Sequence, residues 1–308
     1  MALHQPTGNW RLGLLLALAT AAMWATLPVA LKIALEGLDP YTLTWARFVF
    51  AALAVGAWLA FRRGYAGFAA LPKRSWALLV VAGLMLIGNY VFYLLGLHYT
   101  TPANAQLLIQ AAPLLMALGG ILVFGERYNA WQWFGLAAIV AGLVLFFRDQ
   151  AAAPPPGMRY VFGSGLVLIG ALVWAVYAMA QKQLLNRLSS AAILVFIYVL
   201  ASLVLLPLAR PASLLALDGV HAVALGYCAV NTLAAYGAFA EALAHWEASR
   251  VSVVLALTPV MTVATVEATH AVAPALITPE RIALAGWAGA LLVIAGSALT
   301  SLMRGART

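Results

Sequence analysis

The side chains able to do chemistry are few, and most of them are aromatic or amide groups inside apolar runs. Thr20, Trp24 and Pro28 fall at i, i+4 and i+8, on one stripe of a helix. Trp174, Tyr177 and Gln181 share a face at i, i+3 and i+7, and Tyr90 and Tyr93 share another, beside Asn89. Gln106 and Gln110 stand at i, i+4 ahead of Pro113, and Asn231 precedes Tyr236. Aromatic walls with a few hydroxyls suit an amphiphilic small molecule with an apolar side chain. An amide both donates and accepts, so it can hold a zwitterion without a fixed charge. The expected site is therefore Trp24, Pro28, Tyr90, Tyr93, Gln110, Trp174, Tyr177, Lys182, Asn231 and Tyr236. Each has a plainer reading. The tryptophans could be interfacial anchors, the tyrosines and amides could tie helices together, and Lys182 could snorkel or pair with Glu241. Arg47 reads as a structural partner of a carbonyl or carboxylate.

Other chemistry is missing. Five scattered histidines and the single Cys228 make neither a metal site nor a disulfide. There is no phosphate loop and no catalytic serine elbow, so neither an enzyme nor an ATP-driven pump is expected, and no cofactor.

The elements that must position these residues follow from composition. Of 308 residues, 65% are hydrophobic and 8% charged. A soluble domain is about 45–50% apolar and about 25% charged, so this is an integral membrane protein. The net charge of +8 sits in short loops between apolar runs, which sets membrane orientation and does not grip nucleic acid. The run Leu12–Leu31 is long enough to span and is followed by Lys32, unlike a cleaved signal.

Ten apolar segments are expected: 12–35, 40–61, 75–97, 103–124, 130–147, 162–185, 190–209, 220–244, 250–271 and 281–303. They are apolar all round, which favours helices over barrel strands. With the N-terminus inside, eleven Lys and Arg fall on the cytoplasmic side and five outside, led by Arg62, Arg63, Lys73 and Arg74 in one loop. Both termini are expected in the cytoplasm of an inner-membrane protein.

The chain also repeats itself. An offset of 150 lays Trp24 on Trp174; 146 lays Tyr90 on Tyr236 and Pro113 on Pro259; 154 lays Glu126-Arg127 on Glu280-Arg281, with Gly135 on Gly289 and Gly142 on Gly296. Two halves, 1–150 and 151–308, of five spans each would enter the membrane in opposite directions, the architecture of secondary transporters.

These features resemble the EamA-type repeats of the drug/metabolite transporter superfamily: the early tryptophan of each half, Arg47, the two proline-bearing spans, and the Glu-Arg pairs before glycine-spaced helices. The resemblance covers about residues 12–303 and is nearest to bacterial amino-acid exporters, the aromatic group among them. It implies a ten-helix basket, a central cavity and export from the cytoplasm. The second half departs from the pattern, with Ile197 opposite Arg47 and an insertion at Val272–Pro279.

The expectation is an all-α transporter that exports apolar or aromatic amino acids or similar metabolites by alternating access. A broad drug or cation exporter would need a midspan carboxylate, and a sugar-phosphate exchanger would need paired cations. A channel would show unsaturable flux. The partners are a small molecule and the bilayer, in a monomer or homodimer.

Overall fold

The computed structural model describes residues 9–302 except 63, 125–127, 153–156 and 247. Every regular element among them is helical: α1 (Trp10–Gly37), α2 (Pro40–Phe61), a short α3 (Ala66–Ala69), α4 (Lys73–Tyr99), α5 (Pro102–Leu108), α6 (Ala111–Phe124), α7 (Ala130–Ala152), α8 (Met158–Leu184), α9 (Ser190–Leu205), α10 (Gly219–His245), α11 (Ala248–Leu255), α12 (Thr258–Val272) and α13 (Leu284–Leu302), with a 3-10 turn at Pro211–Ala216. Among the described residues seven stretches are long and apolar enough to cross a membrane, and Ser190–Leu205 and Leu284–Thr300 are shorter apolar helices. Large apolar side chains point outward, with Leu53 70% and Val223 74% exposed, which suits a lipid surface.

The start signals are chemical. Asn9, Asp39, Thr101, Ser189 and Asp218 cap their helices with a side-chain oxygen, and Pro40 and Pro102 take the first-turn positions where a missing N–H costs nothing.

Two of the expected continuous spans are broken. The run 103–124 divides at 109–110 and the run 250–271 at 256–257. The cause is proline four residues past the last regular carbonyl. Pro113 offers no N–H to Ile109, whose carbonyl accepts from Ala112 N at 2.9 Å instead. Pro259 likewise frees the Leu255 carbonyl, which accepts from the Thr258 hydroxyl. Pro28 does not end α1. The carbonyls on either side of the one it frees are taken by neighbouring helices: Asn231 Nδ2 donates to Met23 O (2.8 Å) and Thr262 Oγ1 to Ala25 O (3.0 Å).

Helices pair mainly across the chain's midpoint: α1 with α10, α2 with α9, α4 with α8, and α7 with α13. The glycine-spaced α7 and α13 meet backbone to backbone. A Cβ on Gly142 would lie 2.5 Å from Gly289 O, and one on Gly296 2.5 Å from Gly135 O. The sequence motifs Glu126-Arg127 and Pro154–Pro156 lie outside the described residues, as do Arg63, Arg304 and Arg307.

Candidate functional site

The site is built around a charge. Asp39 fixes the start of α2 by accepting from Tyr41 N, Thr42 N (both 3.0 Å) and Thr42 Oγ1 (2.6 Å). Two turns on, Arg47 is 2% exposed. Its Nε and Nη2 donate to Thr232 Oγ1 at 3.2 and 3.0 Å, and that hydroxyl donates onward to Cys228 O at 2.8 Å. The guanidinium lies over the Tyr90 ring, 4.9 Å from its centroid. An arginine at the centre of a membrane helix costs about 2.5–3.5 kcal/mol even on the lenient insertion scale, so its surroundings must repay that.

Those surroundings are rings and hydroxyls. Tyr90 packs on Phe48 at 4.6 Å, and Phe48 on Tyr198 at 5.7 Å. Tyr177 and Tyr236 complete the set, the Tyr236 hydroxyl lying beside that of Tyr90. Trp24 meets Tyr236 edge-on (5.7 Å, 68°) and lies tilted against Phe239 at 5.6 Å. Trp174 packs against both large apolar clusters of the interior. Six helices, α1, α2, α4, α8, α9 and α10, thus converge on one aromatic centre.

Of the expected residues, Trp24, Tyr90, Tyr177 and Tyr236 come together here, with Trp174 beside them. Tyr93 faces the broken span, donating to Gln106 Oε1 at 3.3 Å. Gln110 stands in the 109–110 turn, where its backbone N–H reaches Leu107 O (3.0 Å). Pro28 is buried in α1, and Asn231 binds α1 and Tyr227 OH (3.1 Å) with its amide nitrogen, leaving Oδ1 buried without a partner. Lys182 is exposed in the last turn of α8, and Glu241 lies 3.4 Å from His245. Sequence reasoning missed Tyr198 and Thr232, and gave Arg47 a structural role only.

A second polar centre sits at the end of the bundle where α4 meets α5. Lys32 Nζ donates to Leu97 O (2.8 Å), His98 O (3.2 Å) and Thr100 O (2.6 Å). Glu280 accepts from Thr101 Oγ1 at 2.8 Å and Ala103 N at 2.9 Å, so it reaches from the second half of the chain into the first. Burial pushes its carboxyl up to about 7, against the opposing pull of those two donors and of Lys32. Among the described residues no three His, Cys, Asp or Glu come together to hold a metal. An open apolar groove of about 620 Å³ runs between α1 and α12, lined by residues such as Ala22, Thr26, Met261 and Thr265, and does not include the aromatic centre.

Comparison with known proteins gives a consistent picture. The model of the EamA-like transporter family matches twice, over residues 11–148 and 161–302. The uncharacterized inner membrane transporter YhbE of Escherichia coli is 34% identical over 293 residues, which is 94% of this chain and 91% of that one. An uncharacterized transporter of Haemophilus influenzae is 33% identical over 94% of this chain and 95% of its own. A probable amino-acid metabolite efflux pump of Escherichia coli is 26% identical over 91% and 92%. A solved crystal structure superposes with a TM-score of 0.60 over 96% of both chains at 21% identity, which speaks to the fold alone.

Proposed function

Because the chain belongs to the EamA-like transporter family, we propose that it exports small amphiphilic metabolites, above all apolar or aromatic amino acids, by alternating access. In this reading ten spans form two inverted halves, 1–150 and 151–308. The helix pairing supports that arrangement. Exchanging the halves turns the α1–α10 pair into the α8–α4 pair, and maps α2–α9 and α7–α13 onto themselves. Two related packings of one bundle are what a rocking transporter requires. In this reading flux runs downhill or on an ion gradient.

The observation that carries the reading is the aromatic centre, drawn from six helices of both halves. Trp24 and Trp174 are its walls, and Tyr90, Tyr177 and Tyr236 supply rings with hydroxyls. The relative named as an amino-acid metabolite efflux pump supports the substrate class.

The test is flux of radiolabelled phenylalanine and leucine in proteoliposomes of the purified protein. We expect saturable flux, competed by unlabelled apolar amino acids and reduced about tenfold or more in the Trp24→Ala, Trp174→Ala double variant, as loss of two aromatic contacts implies. Flux linear in concentration would indicate a channel. Movement of ethidium or a sugar phosphate in place of amino acids would overturn the substrate class.

A further inference from the structure

We propose that Arg47 is the receptor for a carboxylate on the transported molecule, the fixed cation against which an anionic group is held in the aromatic centre. This rests on the reading of that centre as the substrate site, and it adds the chemistry that the rings cannot supply.

A guanidinium carries five N–H donors in a planar fork. Arg47 uses two of them, on a single oxygen, Thr232 Oγ1, whose own hydrogen goes to Cys228 O. One face is covered by the Tyr90 ring. No aspartate or glutamate among the described residues comes within 4.0 Å of it. The acids that share its neighbourhood in sequence or fold are committed elsewhere. Asp39, on the same helix, caps that helix, and Glu280 is held by Thr101 and Ala103.

A buried cation kept only for structure has its donors filled, by a carboxylate or by carbonyls as the Lys32 ammonium is, whereas Arg47 leaves three of its five N–H donors without a partner among the described residues. The missing partner is therefore a mobile anion. A carboxylate fits the fork with two parallel N–H···O bonds, a geometry lysine cannot copy. The site is single. The repeat offset puts Ile197, fully buried and apolar, opposite Arg47, so one molecule of protein offers one cation to one anionic group. Around it stand the rings of Tyr90, Tyr198 and Tyr236, the aromatic surroundings that an ammonium group or an apolar side chain favours.

The experiment compares wild-type protein with Arg47→Gln and Arg47→Lys in two assays. The first is competition of labelled phenylalanine flux by 3-phenylpropionate, which keeps the carboxylate, and by phenethylamine, which lacks it. The second is thermal stabilisation of the detergent-purified protein by 3-phenylpropionate, phenethylamine and phenyl phosphate, which needs no transport. We expect 3-phenylpropionate to compete and to stabilise the wild type, and phenethylamine to do neither. Arg47→Gln should raise the half-saturating phenylalanine concentration at least tenfold, leave maximal flux within about threefold, and abolish stabilisation by 3-phenylpropionate. Arg47→Lys should fall between. If Arg47→Gln does not fold, Arg47→Lys decides alone, by a several-fold loss of 3-phenylpropionate binding. Unchanged half-saturation and competition in a folded variant would overturn the proposal and leave Arg47 structural. Stabilisation by phenyl phosphate in place of the carboxylate would overturn it too. If no amino acid moves and yet 3-phenylpropionate stabilises the wild type through Arg47, the anion receptor stands and the amino-acid reading falls.

Discussion

Glu280 is held by two donors and yet titrates near neutrality, because desolvation outweighs them. An unfolded carboxyl of this kind ionises near 4.5, against about 7 here. Between those values the folded protein holds the proton more tightly than the unfolded chain does. Linkage then makes stability fall as pH rises across this window and level off above it. Glu280→Gln should remove that contribution, so that between pH 4.5 and 7 its melting temperature falls less with rising pH than that of the wild type. Parallel melting curves for the two proteins would show that Glu280 is not the group responsible. In the sequence, Glu280 was visible only as half of a repeated Glu-Arg pair, since its partners Thr101 and Ala103 lie far away in the chain. Arg47 was visible as a charge in an apolar run, but that no acid among the described residues pairs with it was not. That depends on which faces of α2 and α10 meet. Tyr198 escaped notice for the same reason. The repeat pointed to its neighbour Ile197, and only packing shows that Tyr198 is the side chain that reaches Phe48.

At the scale of helices, residue spacing gave much of the answer. Glycines seven apart in two segments imply close helix contact, and α7 and α13 do meet at those glycines. The breaks in the two proline-bearing spans were not anticipated, because the apolar runs continue through them, although Pro113 and Pro259 carried the signal. The glycine contact can be tested by crowding it. Alanine at Gly142 gains about 1 kcal/mol in helix propensity, but its Cβ would press on a backbone oxygen that cannot turn aside, at an overpacking cost of about 1–3 kcal/mol. Gly142→Ala should therefore lower the melting temperature. Gly226→Ala, whose Cβ would meet nothing within 4 Å, should leave it unchanged or raise it. Equal behaviour of the two variants would mean that backbone contact between α7 and α13 does not limit stability.

Over the whole molecule, charge bias and span count make a joint prediction about sidedness. At 16 residues, α9 is about 24 Å long at 1.5 Å per residue, short of a hydrocarbon core of about 30 Å, and α5–α6 is interrupted. If only the long stretches crossed, the loops at Ala66 and Asn186 would be separated by α4, α7 and α8 and would face opposite sides. If α5–α6 and α9 cross as well, Ala66 and Asn186 share a side and Leu215 faces the other. Cys228, the single cysteine, is fully buried, so a cysteine introduced at each exposed position can be read almost alone. With a maleimide that cannot cross membranes, Leu215→Cys should label in intact cells, and Ala66→Cys and Asn186→Cys only after permeabilisation. Labelling of Asn186→Cys and Leu215→Cys from the same side would remove α9 as a span, and with it the two five-helix halves. Labelling of Ala66→Cys and Asn186→Cys from outside, with Leu215→Cys protected, would keep the halves and invert the molecule. The loop of Arg62, Lys73 and Arg74 would then face away from the cytoplasm, and the direction assigned to transport would have to be reversed with it.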